Sequence, residues 1–230
     1  LFCMRYFTSN TTQSRKLRQP WHWAMGLLAT ALLAACSPVA ETAAPASAAA
    51  TASAPATTQL YGSDIRAEQI GGDFTLMDHH GKPVKLSDFK GKVVGLVFGY
   101  THCPDVCPTN LLTFAEALKQ LGPQAEAVQV LFISVDPERD TPALLAQYVP
   151  VFNPTFIGLT TDATNQGALS LVKQQYRIVS QKVPRGDDGG YLVDHSAGNY
   201  LIDKNGHAAV YEPHGQTAAQ LAHDLKILLE

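Results

Sequence analysis

Short apolar runs alternate, from residue 60 onward, with stretches whose apolar positions recur every three or four residues. Lys92–Phe98 (KVVGLVF) and Val128–Val135 (VQVLFISV) are nearly unbroken apolar runs rich in valine, which predicts two buried strands. Between them, Leu111, Leu112, Ala115, Leu118 and Leu121 fall at helical spacing over Thr109–Leu121, with Glu116 and Lys119 facing outward. Thr141 and Pro142 read as the cap and first residue of a helix reaching about Val149. Phe156–Leu159 predicts a short strand and 164–176 a helix with Leu169 and Val172 inward. Tyr191–Val193 and Gly198–Ile202 predict strands on either side of Asp194-His195. A turn at Asn205-Gly206, a strand over Ala208–Tyr211 and an amphipathic helix capped by Thr217 and running to Leu229 follow. Upstream, Gly72–Leu86 reads as a hairpin turning near His80-Gly81, then one helical turn over Ser87–Lys90. Strand and helix in alternation make this an α/β chain, and the 60–230 stretch holds one core and no internal repeat.

Residues 1–59 carry none of that pattern. Arg15, Lys16 and Arg18 precede an uncharged apolar run, Trp21–Ala35, that ends Leu33-Ala34-Ala35-Cys36. This resembles the lipobox of bacterial lipoproteins, in which the cysteine becomes the lipidated first residue of the mature protein. At about fifteen residues the run is short for a membrane span, so residues 1–36 are expected to be an export signal ending at a lipidated Cys36. Residues 37–59 are almost wholly Ala, Ser, Thr and Pro and read as a flexible linker before a folded domain at 60–230. The expected place is the bacterial cell envelope, anchored to a membrane by lipid and facing the periplasm. Residues 1–35 hold four of the 17 basic residues and no acidic one, so 13 basic residues remain against 20 acidic. That balance argues against a nucleic-acid partner. A domain with no apolar surplus is expected to be a monomer.

The export segment accounts for Cys3 and Cys36 of the four cysteines, which leaves one dithiol, Cys103 and Cys107, in GYTHCPDVCPTN. It sits on the turn between the first buried strand and the helix after it. A dithiol there points to the thioredoxin-like version of α/β, with the 72–86 hairpin as an N-terminal extension. The positive end of the helix is expected to lower a thiol pKa and favour the thiolate. A purely structural disulfide would close too small a loop to stabilise much, so redox exchange and metal binding are the stronger readings. Redox dithiols in this fold usually have two intervening residues, whereas Pro104, Asp105 and Val106 make three and leave room for an ion. Two thiolates select soft metals. An iron–sulfur cluster lacks its further cysteines, zinc wants a fourth ligand, and copper(I) needs only two or three.

Eight histidines compete to be a third ligand. His79 and His80 sit at the expected hairpin tip and read as exposed. His207, His214 and His223 lie in polar surroundings, and His102 is too close to Cys103 along the backbone to chelate easily. His195 lies in the loop feeding Gly198–Ile202, a strand that in a thioredoxin-like sheet runs antiparallel to the one ending at Phe98. The start of one and the end of the other share an edge, so His195 faces the thiols. Asp136 ends a strand on the same edge and is either a second-shell carboxylate that orients or charges the site, or a turn former before Pro137. Thiol peroxidases of this fold place Thr or Ser three residues before the reactive cysteine, and position 100 is tyrosine.

Three segments resemble the Sco/SenC family of copper-binding, thioredoxin-like assembly factors. They are GYTHCPDVCP, Ser134–Pro142 (SVDPERDTP), and Val193-Asp194-His195-Ser196 followed by Tyr200-Leu201-Ile202-Asp203. The resemblance covers about Gly72–Leu229 and implies a copper site of Cys103, Cys107 and His195, taking Cu(I) and, through the imidazole, Cu(II). It implies copper delivery to the dinuclear copper centre of cytochrome c oxidase, with the oxidase's copper-bearing subunit or another copper chaperone as partner. It also implies a thiol–disulfide role for Cys103 and Cys107 in reducing that centre's cysteines.

Overall fold

A computed structural model describes residues 59–162, 166–186 and 189–230. The expected export segment with Cys36, the linker up to residue 58 and the expected helix start at Thr164 lie outside the described residues.

Among the described residues, ten strands and four α-helices follow one another, with an eight-stranded mixed sheet at the centre. Its first strand is the two-residue β1, Ser63–Asp64. The expected hairpin forms as β2 (Thr75–Asp78) and β3 (Pro83–Lys85), and the 3₁₀ turn Leu86–Phe89 follows it. β4 (Val93–Gly99) is buried over its whole length, as an apolar run with no alternation predicts for a strand covered on both faces. β5 (Val128–Ser134) lies parallel to it, with Val93 opposite Val128 and Gly99 opposite Ser134. β6 (Ile157–Thr160) adds to β5 in parallel, and β2 to β6 antiparallel. On the other flank β9 (Asn199–Ile202) runs antiparallel to β4, as expected, and β10 (Ala208–Glu212) and β1 complete that side. Gly206, at φ 91°, occupies the left-handed position of the expected turn between β9 and β10. β7 (Ser180–Arg185) and β8 (Gly190–His195) pair only with each other, as a separate two-stranded ribbon.

Helix α1 spans Val106–Leu121 and α2 spans Pro142–Tyr148, started by a Thr141 hydroxyl that accepts the Leu144 N–H. α3 is Gly167–Gln175, with Leu169 and Val172 buried as expected. α4, Ala218–Leu229, opens with a reciprocal capping box between Thr217 and Gln220. The strand period assigns the layers. An added Cβ at Gly95 would meet the Phe114 ring and one at Gly99 the Cys107 sulfur, so these alternate positions face α1. Phe132 is beside Val97 in the neighbouring strand and packs on Tyr148 of α2. Phe98 points the other way, against Tyr176 just past α3 and Tyr200 of β9.

Two expectations for α1 need correction. The helix begins three residues before Thr109, because Pro108 tolerates the first turn, where its missing N–H is not needed. Thr109 does not cap the helix: its N–H and its hydroxyl both donate to the Asp105 carbonyl. Leu112 is 58% exposed and Phe114 takes the inward place, giving a buried stripe of Cys107, Leu111, Phe114, Leu118 and Leu121. Burying such a side chain stabilises the fold by about 1.5–3 kcal/mol.

Candidate metal centre

The early start of α1 puts Cys107 in the helix's first turn, fully buried against β4, with Cys103 half-buried in the loop before it. Gly99 lets the sulfur come this close, since a Cβ there would lie 2.8 Å from Cys107 Sγ. The Cys107 N–H points at Cys103 Sγ, 3.5 Å away. His195 is the last residue of β8, paired across the ribbon with Ser180, and not in a free loop as the sequence suggested. It nonetheless reaches the edge inferred for it: its Nε2 lies 3.3 Å from Cys107 Sγ. The donor atoms of Cys103, Cys107 and His195 all fall within 4.8 Å of one another, the one such cluster among the described residues.

The tautomer of His195 follows from its other nitrogen. Nδ1 lies 2.8 Å from the Ser196 carbonyl, which only accepts, so Nδ1 carries the proton and donates it there. Nε2 is left with its lone pair turned toward the sulfurs, the arrangement a metal-binding imidazole needs. Burial holds the His195 pKa below the ordinary histidine value, only partly countered by that carbonyl. The ring is therefore neutral at pH 7. Cys107 corrects the sequence expectation. Loss of solvation pushes its thiol pKa up, with the neighbouring Cys103 thiol adding to the shift, against the direction expected from the helix end. In the metal-free protein Cys107 is a thiol whose S–H points at His195 Nε2. A thiophilic cation that displaces that proton pairs the thiolate with a positive charge and offsets the cost of burial. Cys103 and His195 open on a cleft of about 230 Å³, walled by Tyr100, Pro104 and Val193.

Asp136 is fully buried but spends its carboxylate away from the sulfurs. Oδ2 accepts from Arg139 Nε at 2.5 Å, and Oδ1 accepts from the Tyr191 hydroxyl at 2.9 Å. The carboxylate bonded to the cysteine loop is Asp140, which the sequence reading missed. It accepts from the Thr101 N–H, the Thr101 hydroxyl and the Ser134 hydroxyl, and so ties the cysteine loop to the end of β5. Tyr100, also missed, is buried beside the site. Its hydroxyl accepts the Val193 N–H at 3.2 Å, and its ring stands edge-on to His195 at 5.9 Å. The signal for both lay in the SVDPERD and GYTHC segments, although only the fold brings them together. Among the other histidines, His79 departs from its expected exposure. It is buried, and its Nδ1 accepts the Gly158 N–H, because β2 extends along β6 before the hairpin turns. His214 bonds Asn110 and His223 bonds Asp224.

Two adjacent parallel strands, each followed by a helix, an antiparallel pair on the other flank and a dithiol at the head of the first helix define a thioredoxin-like domain. Two sulfurs and an imidazole on one edge make it a member with a soft-metal donor set. The SCO1/SenC family model matches residues 62–230, and the chain belongs to that family. It is 39% identical over 165 residues to the mitochondrial SCO2 homolog of Bos taurus, covering 70% of this chain and 61% of that protein. It thus spans less than two thirds of that relative's length. Among solved structures it resembles ScoI of Bradyrhizobium japonicum with copper bound, at 43% identity and a TM-score of 0.63, over 70% of this chain and 99% of that one. It also resembles apo Sco1 of Thermus thermophilus, at 38% identity and a TM-score of 0.67, over 76% and 99% of the two chains.

Proposed function

We propose that this protein is a copper metallochaperone that holds copper through the thiolates of Cys103 and Cys107 and Nε2 of His195, and passes it to the dinuclear copper centre of cytochrome c oxidase. The observation that carries the reading is the convergence of these three donors within 4.8 Å. Two soft sulfurs and a neutral nitrogen suit Cu(I), and the imidazole supports Cu(II). Release proceeds by ligand exchange: an incoming donor from the oxidase's copper-bearing subunit, or from another chaperone, enters through the cleft on the Cys103 side. Lipid on Cys36 would tether the domain to the bacterial membrane with the site facing the periplasm. No helix among the described residues is long and apolar enough to cross a membrane.

The unequal exposure of the two sulfurs supports a second, compatible activity, thiol–disulfide exchange with the cysteines of that partner. The half-exposed Cys103 thiolate attacks a partner disulfide and displaces one partner thiolate. Cys107 then attacks Cys103 Sγ and releases the other. The partner gains two electrons and the Cys103–Cys107 disulfide forms. A cellular thiol reductant restores the dithiol.

The deciding experiment is a Cu(I) titration of the reduced protein without oxygen, against a competing chelator, beside His195→Ala and Cys103→Ala/Cys107→Ala. One tightly held copper, weakened by the histidine change and abolished by the cysteine changes, is expected. Weak binding indifferent to His195, with a readily exchanged disulfide, would move the assignment to the oxidoreductase alone.

A further inference from the structure

A three-donor site needs His195 held against the sulfurs, yet His195 ends a ribbon that the main sheet does not hold. Strands β7 and β8 pair with no third strand, and five of the six side chains of β7 are exposed. The fastening lies elsewhere, around one guanidinium. Arg139 follows β5 by five residues and donates from Nε to Asp136 and from Nη1 to the Tyr191 carbonyl of β8, at 3.0 Å. Its guanidinium carbon lies 3.7 Å from the centroid of the Tyr191 ring and 5.6 Å from that of Tyr100. Tyr191 in turn donates to the second oxygen of Asp136. On the ribbon, Lys182 lies 4.7 Å from the same Tyr191 centroid and pairs with Glu138, one residue before Arg139. One planar cation therefore binds the ribbon's backbone, stacks on its aromatic ring, and reaches the tyrosine that stands against His195 and the cysteine loop.

Resting on the copper reading above, we propose that Arg139 is a positioning residue for the metal centre. It locks the β7–β8 ribbon over the dithiol and so decides whether copper is held by three donors or by two. The geometry asks for arginine: only a flat fork donates to a carboxylate and a carbonyl while stacking on a ring, which the point charge of lysine does not do. Arg139 Nη2 is buried without a partner, and that cost offsets part of the clamp's stabilisation. The ribbon's own ladder is separate from that of the main sheet, so the clamp and the sheet are held by different bonds. Asp136 acts through this clamp, holding the guanidinium with one oxygen and the Tyr191 hydroxyl with the other.

The test compares Arg139→Met, which keeps length and packing, and Arg139→Lys with His195→Ala in the full chain. The first readout uses metal-free protein: the NMR signal of the His195 ring and the exchange rates of the β8 amides. Arg139→Met is expected to move the ring signal toward that of a free histidine and to speed β8 exchange, leaving β4 and β5 protected. The second readout is the sulfur-to-copper charge-transfer band and electron paramagnetic resonance spectrum of Cu(II), with Cu(I) affinity by competition. The spectrum of Arg139→Met is expected to approach that of His195→Ala, with affinity down roughly tenfold to a hundredfold. Arg139→Lys should fall between, and the Arg139→Met/His195→Ala double change should bind no worse than His195→Ala alone. An unmoved His195 signal in Arg139→Met, or losses that add in full, overturns the lock. Should Arg139→Met not fold, Tyr191→Phe, which removes the bond to Asp136, is read in the same way. A His195→Ala protein that binds copper as the unaltered chain does overturns the copper reading itself, whatever the metal-free signals show.

Discussion

The two sides of the metal centre are built to different standards. The cysteine side stands on β4, a strand buried along its whole length, paired on both edges and covered by α1 and by the Tyr176–Tyr200 aromatic cluster. The histidine side stands on a two-stranded ribbon whose β7 is exposed, clipped down by Arg139, Asp136, Tyr191 and Tyr100 with the Lys182–Glu138 pair beside them. Elements that move are drawn from the least stable parts of a fold. If the site holds copper as proposed, the sulfurs are its fixed part and the imidazole its adjustable part.

The hardest test of that contrast is in the core. Phe98→Ala is expected to cost about 3–5 kcal/mol in chemical denaturation, whereas Val183→Ala on the ribbon should stay within about 0.5 kcal/mol. Comparable losses would mean that the ribbon is part of the cooperative core. A second test uses pH on the sheet side. Burial, with the Asp224 charge beside it, pushes the Glu212 carboxyl up to about 8. The folded state thus keeps a proton that the unfolded chain releases near 4.5, so the folded protein binds more protons between those values. Stability is full below about 4.5 and falls as pH rises toward about 8, by at most about 1.4 kcal/mol per unit. Glu212→Gln is expected to flatten that slope while leaving copper affinity unchanged; an equal slope in both proteins would place the titration elsewhere.

Smaller effects sharpen the contrast at the site itself. Gly99→Ala drives a Cβ to within 2.8 Å of both the Cys107 sulfur and the Phe132 ring. It is expected to cost about 1–3 kcal/mol and to weaken copper binding, seen by thermal unfolding and titration. Tyr100→Phe leaves the Val193 N–H without its acceptor, at a cost of about 1 kcal/mol. Its mark should be faster hydrogen exchange at Val193 with β4 unchanged. Faster exchange across β4 as well would show that ribbon and sheet open together.

The same division governs what the sequence made legible. β4, β5 and β9 were readable as short, nearly unbroken apolar runs, and the α4 cap because Thr217 stands three residues before Gln220. β7 was not, since SQKVPR buries almost nothing and carries Pro184, which marks an edge strand at best. Two-residue β1 offers no period at all. That Cys103, Cys107 and His195 would meet on one edge was readable from residue type, spacing and strand order. The upward shift of Cys107 was not, because desolvation depends on how deeply the helix seats, and a one-dimensional reading gives only the helix end. Asp136 was expected on that edge as a carboxylate orienting the site or as a turn former, without a named partner. Its partners Arg139 and Tyr191 lie three and 55 residues away, and nothing local links the second to it.

Of the three donors, only Cys107 belongs to the buried core. The sheet closes through apolar side chains and backbone ladders that do not pass through Cys103 or His195. On the proposed chaperone reading, a metal held here is cargo and not a keystone. In small zinc-dependent domains, giving up the ion means giving up the fold. Under that proposal an arriving ion would brace three side chains and a departing one would loosen a ribbon, and handover would not compete with unfolding.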